Sequence, residues 1–120
     1  MALQTSSPND TYNLLVCKIC TNMGIAPNYP DSLEWDTLIN ILGQQGGVYS
    51  ANPTDTLYSL WKKVLLNQCA PQVPGILDTK QDLMRKILIN MAGTYTDSPN
   101  STQWELAAGI VNNQAPLHHC

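Results

Sequence analysis

An isoleucine or valine returns at nearly constant intervals along the chain: Ile19, Ile41, Val64, Ile87 and Ile110 stand 22, 23, 23 and 23 residues apart. A period of 20–50 residues marks repeat architectures, because a unit that short cannot bury its own apolar face and must cover it with its neighbours. Five copies of one unit therefore dictate the fold.

Other columns keep the same register. Four residues before the anchor stand Leu15, Thr37, Leu60, Leu83 and Leu106, and one residue after it Cys20, Leu42, Leu65, Leu88 and Val111. Three before it come Val16, Leu38, Trp61, Met84 and Ala107. Apolar positions at i, i+1, i+4 and i+5 fall on one broad stripe of an α-helix and fit no alternating strand. The position just before the anchor holds Lys18, Asn40, Lys63, Lys86 and Gly109, and is expected to face water.

Nine residues before the anchor, Asp10, Ser32, Asp55, Asp78 and Ser101 are good N-caps, and Asp82 and Glu105 are placed to close capping boxes from the next turn. Pro8, Pro30, Pro53 and Pro99 precede these caps by two, with Ile76 the exception. Gly24, Gly46, Cys69, Ala92 and Ala115 form a small-residue column at the far end, with Gly47 and Gly93 available as stops. The pattern predicts one all-α domain over 1–120, with helices at 10–23, 32–45, 55–68, 78–91 and 101–114 and a tail at 115–120.

The connecting segments are rich in Pro, Gly, Asn and Ser, and seven or eight extended residues reach roughly 25 Å, the length of a whole helix. The expected architecture is a small right-handed α-solenoid of helix-plus-return units, with an antiparallel helical array as the alternative. A column of carboxamides at the helix ends, Asn22, Gln44, Asn67, Asn90 and Asn113, is placed to bond to the next loop as a ladder. No unit has an all-polar outer face suited to closing a stack, so at least one end is expected to meet another protein or another copy of this chain.

Charged residues make up 12% of the chain, about half the usual share, and the net charge is −3. Six basic residues argue against nucleic acid, whose phosphates demand clustered Lys and Arg. Lys62, Lys63, Arg85 and Lys86 read as a solvated face. No apolar run of about 18 residues is present to span a membrane, and the opening residues lack a secretory pattern, so synthesis in a cytoplasm is expected.

Chemistry finds little purchase. Cys17 and Cys20 form a C-x-x-C, and with His118, His119 and Cys120 they offer the ligand types of a zinc site. The pair lies in mid-helix rather than on a turn that converges two thiolates, so ordinary thiols are expected and no metal or cofactor is assigned. Both histidines fall in the last three residues, and no nucleophile elbow, phosphate loop or H-E-x-x-H occurs, so no catalytic residue is assigned. Trp35, Tyr58 and Trp104 share one column with Asn13 and Gln81 at the edge of the apolar stripe. They either seal adjacent helices or project as interface anchors, the role Trp and Tyr most often take in binding.

Asp55-Thr56-Leu57-Tyr58-Ser59-Leu60-Trp61-Lys62-Lys63-Val64-Leu65 and Asp78-Thr79-Lys80-Gln81-Asp82-Leu83-Met84-Arg85-Lys86-Ile87-Leu88 resemble the D-T-x-x-x-L-x-x-K-[IV]-L helical repeats of appendage and accessory structural proteins of phage particles. The second and fifth units depart from that pattern, with Leu33 for the threonine and Asn40 and Gly109 for the lysine. The resemblance implies a non-enzymatic virion protein docked on a larger symmetric assembly as capsid decoration, head fibre, collar or tail accessory. Its partners would be other virion proteins and copies of itself. The alternative is a cellular helical-repeat adaptor that binds a protein or peptide along its stacked face.

Overall fold

The computed structural model describes residues 4–25, 27, 33–68, 71–92 and 102–113. They form α1 (Tyr12–Met23), α2 (Glu34–Gln45), α3 (Leu57–Gln68), α4 (Lys80–Ala92) and α5 (Gln103–Asn113), with no strand among them. The anchors Ile19, Ile41, Val64, Ile87 and Ile110 are all buried in one continuous core with their neighbouring columns. Thr37, the one polar residue in its column, is buried as well and donates its hydroxyl to the Leu33 carbonyl at 3.0 Å. Ser32, Ser101, Pro30, Pro99, Cys69, Gly93, Ala115 and the tail 115–120 lie outside the described residues.

The described helix starts come two residues later than expected, because the aspartates serve turns rather than caps. In Ser7-Pro8-Asn9-Asp10, Asn52-Pro53-Thr54-Asp55 and Gly75-Ile76-Leu77-Asp78 the Asp N–H donates to the first residue's carbonyl at 3.0, 3.0 and 3.2 Å. The first residue's N–H returns to Asp Oδ2 at 2.8, 2.8 and 2.7 Å. Proline at the second position suits such a turn because its φ is already set. The caps are the threonines that follow: Thr11, Thr56, Thr79 and Thr102 accept through Oγ1 from Leu14, Ser59, Asp82 and Glu105 N–H at 3.1 to 3.2 Å. Asp82 and Glu105 accept in return from the N–H of Thr79 and Thr102, closing the expected boxes one residue downstream. At α2 the cap position falls on Leu33, which offers no side-chain acceptor.

In the column expected to face water Asn40 does so, but the three lysines are partly buried. Lys18, Lys63 and Lys86 each pair with the turn aspartate of their own unit, Asp10, Asp55 and Asp78, at 2.6 to 2.7 Å. The same ammonium groups donate to the carbonyls of Thr5, Ser50 and Val73, thirteen residues upstream in every case. Further along each helix an asparagine grips the same returning segment twice. Asn22 holds Gln4 and Asn67 holds Tyr49, each through both backbone groups. Asn90 does the same to Gln72. These three carboxamides thus bind the loop that precedes their helix, not the loop that follows it, while Gln44 donates to Cys20 of α1 and Asn113 to the Gly109 carbonyl of its own helix. Each described return segment is pinned along its own helix by an asparagine at one end and a lysine near the other.

Equivalent turns of successive helices meet: Gln45 accepts from Asn67 at 3.1 Å and Gln68 from Asn90 at 3.0 Å near the C-terminal ends, and Tyr12 donates to Glu34 at the N-terminal ends. The helices are therefore parallel, which sets aside the antiparallel alternative. Each packs on the helix before and the helix after it, and α5 packs on α1 as extensively as α3 does on α2 or α4. The array is closed. Its extents of 33 × 32 × 24 Å are those of a thick disc. The expected stack ends do not exist, so the fold itself no longer requires a partner to cover them.

Candidate functional site

Closure with parallel helices gathers the five N-termini on one face, where Tyr12, Glu34 and Lys80 from the starts of three helices meet. Glu34, at the start of α2, is the centre of that gathering. It accepts from Tyr12 Oη of α1 and from Trp61 Nε1 of α3, both at 2.8 Å. Lys80 Nζ of α4 lies 2.8 Å from Glu34 Oε2. Helices α2 and α4 do not pack on each other, so Lys80 spans the mouth of the ring. On the way its ammonium stands 4.9 Å from the centre of the Tyr12 ring, while Tyr12 Oη lies 3.7 Å from Met84 Sδ of α4. Four helices are tied to one carboxylate.

The chemistry open to this cluster is narrow. A carboxylate at a helix N-terminus is stabilised by the unpaired first-turn N–H groups. Burial, together with the adjacent Glu34 charge, pushes the Tyr12 hydroxyl far above the ordinary phenol range, so it stays a donor. A phenol, an indole and an ammonium are directed at the Glu34 oxygens, which makes that carboxylate a hub.

The aromatic column also faces inward. Trp35 and Trp104 are half-buried against the core and donate their indole N–H to the carbonyls of Asp55 and Asp10, at 2.8 and 2.7 Å. Each indole thus latches onto the turn of the next unit, and for Trp104 the next unit is the first. Asn112, one position before the expected Asn113, reinforces that seam by accepting from Ser6 N–H and donating to Ser6 Oγ, both at 2.8 Å. Tyr58 is half-buried at the same edge of the core.

Cys17 and Cys20 are buried free thiols, and burial raises both, Cys20 to about 11. They are protonated at neutral pH, whereas a zinc ligand or nucleophile has to be a thiolate. The remaining members of that candidate set, His118, His119 and Cys120, lie outside the described residues. No group of three or more His, Cys, Asp or Glu among the described residues is disposed to hold a metal, and no described helix is long and apolar enough to cross a membrane.

Sequence reasoning missed the axial hub. Its residues lie mostly in the column seven before the anchor, Tyr12, Glu34, Leu57, Lys80 and Gln103, which carries a phenol, a carboxylate and an ammonium at equivalent positions. It also passed over the outer turn of the fourth unit, where Ile76 is 98% and Leu77 93% exposed. No family, curated protein or solved structure matches the chain.

Proposed function

We propose that this chain is a non-enzymatic structural protein of a phage particle, docked through its outer turns on a larger assembly. The observation that carries the docking is the exposed Ile76–Leu77 pair on a molecule whose other distinctive residues stitch the ring together. Lys18, Lys63, Lys80 and Lys86, the turn aspartates, Asn67, Asn90, the three tryptophans and Glu34 all bond within the chain. The assignment to a phage particle comes from the resemblance of the D-T-x-x-x-L-x-x-K-[IV]-L units. The adaptor alternative is less favoured, because closing the ring removes the extended concave face along which open solenoids bind peptides.

The direct test is quantitative mass spectrometry of gradient-purified particles. The chain should band with them at a fixed ratio to the major structural protein and keep that ratio through a salt wash. Its absence from the particles would end the virion reading.

A further inference from the structure

The first, third and fourth units are fastened along their own length, by Lys18, Lys63 and Lys86 to the turn aspartate and by Asn22, Asn67 and Asn90 to the return segment. The fifth helix has neither tie. Gly109 stands in the lysine column and offers no ammonium, and Asn113, in the asparagine column, bonds back to its own helix. Among the described residues, the side-chain hydrogen bonds that α5 makes to other units run to the first one, from Trp104 to the Asp10 carbonyl and between Asn112 and Ser6. A single connection, residues 93–102, joins α5 to the other helices.

The slot between α4 and α1 is nonetheless shaped for this helix. A Cβ at Gly109 would lie 2.7 Å from Leu88 Cδ2 of α4, and Leu88 is fully buried. The other four helices carry Lys18, Asn40, Lys63 and Lys86 at that position, so any of them seated here would have to drive Leu88 out of the core. Of the helices in this chain α5 alone matches the slot. The α5 of a second copy matches it equally well.

We infer that α5 is an exchangeable plug, and that two copies of this chain trade their α5 helices to form a twofold dimer in which each slot holds the other copy's helix. Both α5 seams, the Trp104 latch and the Asn112 clasp are rebuilt between copies, so no contact is lost in the trade, and swapping an identical element in this way costs little. Residues 93–102 reach roughly 33–36 Å when extended, comparable to the 33 Å width of the ring, which is enough to pass from one ring to the next. Because α5 packs on both α4 and α1, it cannot leave a folded ring without breaking two seams, and the choice of slot is made as the chain folds. A short link presents a helix to its own slot at an effective concentration on the order of 1 mM, so trading sets in as the chain approaches that concentration. Exchange of α5 does not depend on whether the chain belongs to a particle.

The wild-type chain, refolded from urea at about 10 µM and at about 1 mM and then brought to one dilution, should rise from about 1% to roughly 50% dimer by light scattering. Monomer alone from both would overturn the inference. Two full-length variants identify the part exchanged. Gly109→Val overfills its own slot and Leu88→Ala underfills its own, whereas a swapped pair of the two sets the added valine side chain against the vacated space and native Gly109 against native Leu88. Refolded together at about 10 µM, they should give a one-to-one dimer at about tenfold the dimer yield of either alone. Should either variant fail to fold by itself, its recovery as folded mixed dimer is the same readout. A mixture that stays two separate species, or that dimerises no better than its parts, would overturn the inference.

Discussion

Asn67 shows how a single carboxamide fixes a loop. It is 1% exposed, donates to Gln45 Oε1 and to the Tyr49 carbonyl, and accepts from Tyr49 N–H. Gly47 makes room for it, since a Cβ there would lie 2.4 to 2.8 Å from Asn67 side-chain atoms. Asn67→Ala leaves buried polar groups without partners and should cost about 2–4 kcal/mol in urea unfolding. Gly47→Ala should cost about 1–3 kcal/mol through overpacking, and part of that penalty should vanish in the Asn67→Ala background, where only the Cβ at 67 remains in the way. Additive costs would mean the two residues do not meet. The asparagine column was legible in the sequence; its target was not, because spacing locates a carboxamide at a helix end without saying which of two loops passes there.

Two of the turn aspartates, Asp10 and Asp55, make stability depend on pH. Hydrogen bonds from Lys18 and Lys63 hold the Asp10 and Asp55 carboxyls below the ordinary carboxylate value. A carboxyl depressed in the folded state contributes fully above its unfolded value, near 4, and loses that contribution as pH falls through the folded one. Denaturation midpoints should thus be flat from about pH 7 to 5 and drop below about 4, and Asp55→Asn should shallow the drop.

At the scale of the element, the repeats differ most in how their helices begin. Four described helices have a threonine cap, whereas Leu33 holds the extended cap conformation, φ −86° and ψ 155°, without an acceptor. Leu33→Thr should supply one and, with Asp36 three residues on, recreate the box seen at Thr79 and Asp82. The expected gain is about 0.5–1 kcal/mol, or roughly 3 °C in thermal unfolding followed by circular dichroism. No gain would mean that the entry to α2 is shaped by packing alone. The five helices themselves were legible, because apolar columns at helical spacing admit no other element. Their starts were displaced because aspartate serves equally well as a cap and as the closing residue of a turn, and only the turn geometry separates the two uses.

For the whole molecule, what the sequence could not convey is the angle through which each unit turns on the last. A constant period is common to an open spiral and a ring, and side-chain volumes at the seams decide between them. The Glu34 hub was equally hidden, because Tyr12, Glu34 and Lys80 of one column and Trp61 of another become a site only when the ring brings them together. Closure can be tested with two tryptophans. Trp35 and Trp104 make the same latch at an internal seam and at the closing one. Trp35→Ala and Trp104→Ala should therefore cost similar amounts, on the order of 3 kcal/mol by chemical denaturation. A Trp104 cost under about 1 kcal/mol beside a large Trp35 cost would mean the ring is open in solution.

The meeting of α5 with α1 also changes how the protein can come apart. A linear array frays, its terminal repeats opening at little cost while the middle holds. Here every helix is an interior helix, so no unit can peel away without rupturing two seams. The molecule must break before it can melt, and a repeat protein closed in this way gives up gradual unravelling for an all-or-none transition.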